Sequence, residues 1–382
     1  MTKVVVTGIG AVAANGSSAK EIFDGCVEKR SGLKECALFD PSLLRTPFVG
    51  EIRSLPKKDR IFRIIEHCCD QALEDASFTA DDFRKEGIRG CLCFATLLAS
   101  IENIRSYVSD DNADALCEIP SYIDFIHKKY GVLGASYTDS SACAAGTTAL
   151  GIAFDLIREN KADVVLVGGA DPLTDFACYG FHSLQSLSTD KCKPFDVRRD
   201  GINLGEGGAF FVVESEEHAK KRGAKIRCEI VGYGINNDAY HITGPDPEGY
   251  GACASMKEAC KTVSFDKIDY VNTHGTGTIL NDAMEMTALK KLPFKKDLVV
   301  SSTKPITGHC LAAAGAIEAA ITMLALENNV APPTANLTDK EENCASYVYP
   351  QEALEKELKY ALSDSFAFGG NTASVLLKKY ED

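Results

Sequence analysis

The chain has 382 residues, with 45% hydrophobic and 25% charged side chains, 31 Gly and 13 Pro. That length supplies two or three domains with full cores, and the composition excludes disordered, collagen-like and coiled-coil chains. The 54 acidic against 41 basic residues, net charge −13, argue against a nucleic acid bound over a broad surface.

In chain order, strands are expected at Lys3–Thr7, Ala162–Val167, Ala209–Val213, Lys225–Val231, Ile268–Asn272, Leu298–Ser302 and Ala373–Leu377. Several are continuous Val/Ile/Leu runs, as in strands covered on both faces. Longer helical patterns alternate with them, which defines an α/β chain. Cys143-Ala144-Ala145-Gly146 opens a small-residue helix, and Leu311-Ala312-Ala313-Ala314-Gly315 opens another of the same plan. Two related halves are expected, 1–235 and 236–382, packed as one body because no Pro/Ser linker separates them.

No apolar run reaches the ~18 residues of a membrane span. The first residues read as a strand and not as a signal peptide, so a cytoplasmic protein is expected. The fifteen cysteines are scattered, odd in number and without a CxxC pair. They read as reduced, buried small hydrophobes with no metal-ligand spacing.

Gly8-Ile9-Gly10-Ala11-Val12-Ala13 after Val4-Val5-Val6 fits the form of a dinucleotide fingerprint. The second strand ending in an acidic residue about 20 positions on is missing, so the glycines read as a tight strand-to-helix turn. No GxxxxGK[ST] phosphate loop is present.

The chemistry concentrates elsewhere. Asp139-Ser140-Ser141-Ala142-Cys143 leads into an Ala-rich helix, placing Cys143 at a positive helix end that favours thiolate. His274, in Asn272-Thr273-His274-Gly275-Thr276-Gly277-Thr278, and His309, in Lys304-Pro305-Ile306-Thr307-Gly308-His309, each follow an expected parallel strand. Carboxyl ends of such strands collect active sites. A capped cysteine with two histidines suggests a nucleophile with hydrogen-bond or acid-base partners. Phe366-Ala367-Phe368-Gly369-Gly370 adds a turn whose N–H groups could face an oxyanion.

At these residues the chain resembles, along its whole length, the elongating β-ketoacyl-acyl-carrier-protein synthases. The matching blocks are Val4 to Gly10, Ala142 to Ala144, Ala162 to Ala170, Lys193 to Gly207, His274 to Thr278, Lys304 to His309 and Phe366 to Gly370. The resemblance implies a duplicated thiolase-like fold, layered α-β-α-β-α. It implies Cys143, His274 and His309 as a catalytic triad supported by Lys304 and Glu318, and substrate contacts from Thr276, Thr278, Phe366, Phe368 and Gly369. It implies acyl transfer to Cys143 from an acyl carrier protein, then decarboxylative condensation with malonyl-carrier protein. No metal or organic cofactor is implied, since the partner carries the phosphopantetheine. The assembly implied is a homodimer, or a heterodimer with a chain-length factor.

Three departures stand out. Ala367 replaces a glycine of the gating turn, Asn371-Thr372 inverts the usual pair, and the segment from Cys91 to Tyr130 is short, with Thr96-Leu97-Leu98-Ala99 in place of a Gly-rich stretch. A non-catalytic chain-length partner would lack the active cysteine, and a papain-like hydrolase would not need the second histidine. An acidic carrier requires a local basic patch on this acidic chain, and Lys57, Lys58, Arg60 and Arg63 are expected to form it, with Arg60 and Arg63 on one helical face.

Overall fold

The computed structural model describes residues 2–99, 101, 118–344 and 346–381. Part of the Cys91 to Tyr130 segment singled out above, residues 100 and 102–117, lies outside the described residues. Ten strands form the main sheet: β1 (Val4–Ala13), β2 (Gly90–Ala95), β3 (Ser136–Asp139), β4 (Val164–Asp171), β5 (Gly207–Ser215), β6 (Cys228–Asn237), β7 (Tyr270–Asn272), β8 (Val299–Ser301), β9 (Tyr360–Phe366) and β10 (Asn371–Lys379). Their order is β8-β7-β9-β10-β6-β1-β5-β4-β2-β3.

That order is the same unit twice. In the first five strands β2 runs parallel to β3 and β4, while β4 with β5 and β5 with β1 are antiparallel. In the second, β7 runs parallel to β8 and β9, while β9 with β10 and β10 with β6 are antiparallel. The two units join where Val4–Val6 of β1 pairs antiparallel with Cys228–Ile230 of β6. Residue 235 lies inside β6.

Among the helices of the described residues, six build most of the layers: α1 (Arg60–Asp75), α2 (Ile119–Tyr130), α3 (Ala145–Arg158), α4 (Tyr250–Ala259), α5 (Ile279–Lys290) and α6 (Ala314–Asn328). Strand alternation sorts their partners. Val165 and Val167 of β4 pack with α3 and α6, whereas Val164 and Leu166 pack with α1 and α2. In the second unit Val375 and Leu377 face the central helices, and Leu376 faces the side of α4 and α5. The result is helices, sheet, central helix pair, sheet, helices. Residues 311–328 are long and apolar enough to cross a membrane, and they form this buried central element.

The central helices touch through glycines. A Cβ on Gly146 would sit 2.7 Å from Ala316 N, and one on Gly315 would sit 2.9 Å from Thr147 N. Close backbone approach is what those glycines permit. The same reason corrects the reading of Gly8 and Gly10. Both lie inside β1 and not at a turn, and Cβ atoms there would meet Ala72 O at 2.1 Å and Cys68 O at 2.0 Å on α1. The fourteen described cysteines are free, and all but Cys36 are buried.

Candidate active site

Cys143 and His309 arrive from corresponding turns of the two units. Each central helix opens with one turn of 3-10 helix, Ala142–Ala144 and Leu311–Ala313. Ala142 (φ 53°) and Leu311 (φ 51°) both occupy the left-handed region, a strained conformation for a side-chain-bearing residue that persists only where surroundings enforce it. The turns bring His309 Nε2 to 3.1 Å from Cys143 Sγ. Both residues are buried.

His274 stands edge-on to His309, ring centroids 5.2 Å apart at 84°, with Phe366 beside it at 6.0 Å. The loop after β7 is fixed from behind: Glu285 of α5 accepts the N–H groups of His274 (2.7 Å) and Gly275 (2.8 Å), and Asp282 accepts those of Thr276 and Gly277. The sequence reading missed both carboxylates. Their signal was two acids three residues apart on a helix capped by Thr278, one face turned back on the histidine loop.

Lys304 is wholly buried, ion-paired with Glu318, and its Nζ lies 3.4 Å from His274 Nδ1. An ammonium can only donate, so Nδ1 accepts and the His274 proton resides on Nε2. Burial, then the Lys304 charge, push His274 and His309 well below the usual imidazole range, His309 adding to the effect on His274. Both are neutral at neutral pH. Burial pushes the Cys143 thiol up to about 12 against the opposing pull of Lys304, so the helix-end effect expected from the sequence loses to desolvation. The resting group is a thiol held against a neutral imidazole.

Cys143, His274 and His309 line a cavity of about 260 Å³, whose walls include Phe366, Phe368 and Thr276. Thr278 lines it too, its hydroxyl 2.8 Å from that of Thr276. Leu184, Ile279 and Leu280 are exposed along it. Phe368 stacks on Phe181, centroids 5.4 Å apart at 18°. Ala367 is extended (φ −131°, ψ 159°), while Gly369 (φ 79°) and Gly370 (φ 78°) turn the chain. Ala367 N–H bonds Asn371 O, Gly369 N–H bonds Ile242 O and Gly370 N–H bonds Ala367 O.

The expected basic patch is not brought together. Arg60 is buried at the first turn of α1, its Nε 2.8 Å from Glu206 Oε2 and its guanidinium also bonding Leu55, Pro56 and Ile52 carbonyls. Its partner carboxylate lies inward, so Arg60 points away from Arg63. Lys57, Lys58 and Arg63 are exposed, and Arg63 pairs with Glu66.

A doubled sheet about two central helices, with a cysteine and a histidine at the paired turns and a second histidine on the loop after β7, defines a thiolase-like enzyme. The N-terminal domain of beta-ketoacyl synthases matches residues 1–219, and the C-terminal domain matches 227–338. The 3-oxoacyl-[acyl-carrier-protein] synthase 2 of Coxiella burnetii is 33% identical over 417 residues, covering 100% of this chain and 99% of its own. A putative mitochondrial 3-oxoacyl-[acyl-carrier-protein] synthase of Schizosaccharomyces pombe is 33% identical, with 100% of both covered. Among solved structures, a type II polyketide ketosynthase in complex with its acyl-carrier protein superposes with TM-score 0.90 at 28% identity, and a beta-ketoacyl synthase of Burkholderia phymatum with 0.88 at 30%, both over 100% of each chain. This chain belongs to the beta-ketoacyl synthase family of acyl-transferring condensing enzymes.

Proposed function

We propose that the chain catalyses decarboxylative Claisen condensation between an acyl group held on Cys143 and malonyl-carrier protein, extending a fatty-acyl or polyketide chain. The observation that carries this reading is the Cys143 thiol 3.1 Å from a neutral His309 imidazole. His309 takes the thiol proton as Sγ attacks the carrier's thioester carbonyl, and the proton leaves with the carrier thiol. Once Sγ is acylated, His309 Nε2 no longer accepts from it and can carry a proton. Malonyl thioester then loses carbon dioxide. His274 Nε2–H and His309 Nε2–H stabilise the enolate oxygen, and the enolate carbon attacks the acyl-Cys143 carbonyl, forming the carbon–carbon bond and releasing the thiolate. The oxyanion of that step lies against the N–H groups of Cys143 and Phe368, the neighbouring amides of the turn being engaged as described. Such preorganised donors act where charge develops.

The carrier brings its phosphopantetheine through the cavity past Thr276 and Thr278, and no resident cofactor or metal is required. An acyl carrier protein is the partner, as in the polyketide ketosynthase solved with one. The chain works as a homodimer, or beside a chain-length factor as in the ishigamide ketosynthase/chain length factor, which superposes with TM-score 0.90 at 29% identity. The reading of the chain itself as a non-catalytic partner is disfavoured by the intact Cys143, His309 and His274 set. Incubation with acyl- and malonyl-carrier protein, followed by peptide mass analysis, tests this. Acyl mass on Cys143, lost in Cys143→Ala together with product, is expected. Label on Cys68, Cys93 or Cys310, or none, overturns the proposal.

A further inference from the structure

The nucleophile and its histidine come from turns in different halves of the chain, and one carboxylate lies between the two turns. Asp171 ends β4 and is completely buried. Its Oδ1 accepts from Thr96 Oγ1 (2.9 Å), Leu97 N (3.0 Å) and Leu98 N (2.8 Å). Its Oδ2 accepts from Ala312 N at 2.8 Å, with a longer contact from Leu97 N.

Each side of this carboxylate leads to the reacting pair. Ala312 belongs to the strained turn that opens with Leu311, three residues after His309 in the chain. On the other side Ser140 Oγ donates to Thr96 O (2.6 Å), and Thr96 N–H bonds Asp139 O. Asp139 Oδ1 in turn accepts from Ser141 N at 2.9 Å, immediately before Ala142 and Cys143. Left-handed conformations at Ala142 and Leu311 need external restraint, and a buried carboxylate with several donors is a stiff one.

We propose that Asp171 is a positioning residue that sets the Cys143–His309 distance by tying the two strained turns together through Thr96 on one side and Ala312 on the other. The inference rests on reading Cys143 as nucleophile and His309 as its base. Asp171 also acts directly on the thiol: its negative charge raises the Cys143 pKa. Positioning and charge therefore predict opposite effects when the carboxylate is neutralised. Asp171→Asn keeps its size but offers only one oxygen, so one turn is released. Thr96→Val keeps the volume and the Asp171 charge, and removes one link.

The test is the rate at which iodoacetamide alkylates Cys143 in the native protein, read by peptide mass at neutral pH, with the other buried cysteines as an internal monitor of folding. If Asp171 positions the pair, Asp171→Asn and Thr96→Val each slow Cys143 alkylation about tenfold, a coupling usual for residues in one network. Asp171→Asn then has no further effect in a His309→Ala background. Acceleration in Asp171→Asn, or the same slowing with and without His309, overturns the proposal. Where Asp171→Asn does not fold, Thr96→Val carries the test, and unchanged alkylation in it overturns the link. Alkylation needs no carrier protein, so a chain that behaves as expected here yet accepts no acyl group sinks the condensing reading alone.

Discussion

A thiol whose pKa is pushed up to about 12 is a weak nucleophile at neutral pH unless a base removes its proton during attack. His309 is placed for that task and His274 is not. His309→Ala is therefore expected to slow both acyl loading and malonyl decarboxylation, whereas His274→Ala slows decarboxylation by about 2.7 to 4 kcal/mol of lost transition-state stabilisation and spares loading. Measuring the two half-reactions separately checks the split, and normal decarboxylation in His274→Ala removes that residue from the mechanism. A second buried acid shapes stability. Burial in β9 pushes the Asp364 carboxyl from its ordinary 3.8 to about 7, a rise that the neighbouring Ser374 hydroxyl only partly offsets. Between those values the folded chain keeps a proton that the unfolded chain has released, so this group's stability is complete below about pH 4 and is lost as pH rises toward 7. Asp364→Asn is expected to match the parent near pH 4 and to gain up to roughly 4 kcal/mol over it by pH 7 to 8. Chemical denaturation across that range reads the difference, and a pH-independent difference contradicts it.

At the scale of elements, glycines decide how closely helix and strand approach. A Cβ at Gly10 would meet the Cys68 carbonyl oxygen of α1 at 2.0 Å, and neither backbone can yield cheaply, so Gly10→Ala is expected to lower stability by about 1 to 3 kcal/mol or more. Gly87→Ala, with open space but φ 88°, offers a contrast in which strain alone operates; a larger loss there than at Gly10 would show that close packing is not the reason. The sequence shows the continuous apolar strands well, because both faces of β4, β5 and β10 are covered. It hides β2, whose Gly-Cys-Leu-Cys-Phe-Ala lacks β-branched residues, the exposed edge strand β3, and β9, where Ser363, Asp364 and Ser365 are polar yet buried. Gly8 and Gly10 mislead for a related reason: a local signal for a turn is indistinguishable from a demand for close approach made by a helix 60 residues away. Cys143, His274 and His309 are legible because each stands in a small-residue turn of recognisable context. Glu285 and Asp282 are not, since they serve the backbone of a loop whose path only the fold reveals. Ala367 is extended, so the glycine it replaces was not needed for φ; freedom in the turn resides at Gly369 and Gly370.

For the whole molecule, the duplicated sheet explains why Cys143 and His309 meet although 166 positions separate them: equivalent turns of the two units come together at the starts of the two central helices. The surface poses a different problem. A net charge of −13 opposes an acidic carrier unless positive groups are locally concentrated. Burial of Arg60 against Glu206, and pairing of Lys129 with Glu66 and Asp70, leave a patch more mixed than the linear sequence suggests. If the carrier docks there, the exposed Lys57, Lys58 and Arg63 must serve it, and Arg60 must not. Reversing Lys57 and Arg63 to Glu is then expected to weaken carrier binding and flatten its salt dependence with little change in melting temperature, since exposed ion pairs contribute about 0 to 1 kcal/mol. Arg60→Glu instead buries two like charges and should destabilise the fold by about 3 to 5 kcal/mol. Carrier affinity measured at low and high salt, beside thermal melts, separates the two. Unchanged low-salt affinity in the Lys57, Arg63 variant would place the carrier elsewhere around the cavity mouth, where Leu184, Ile279 and Leu280 are exposed.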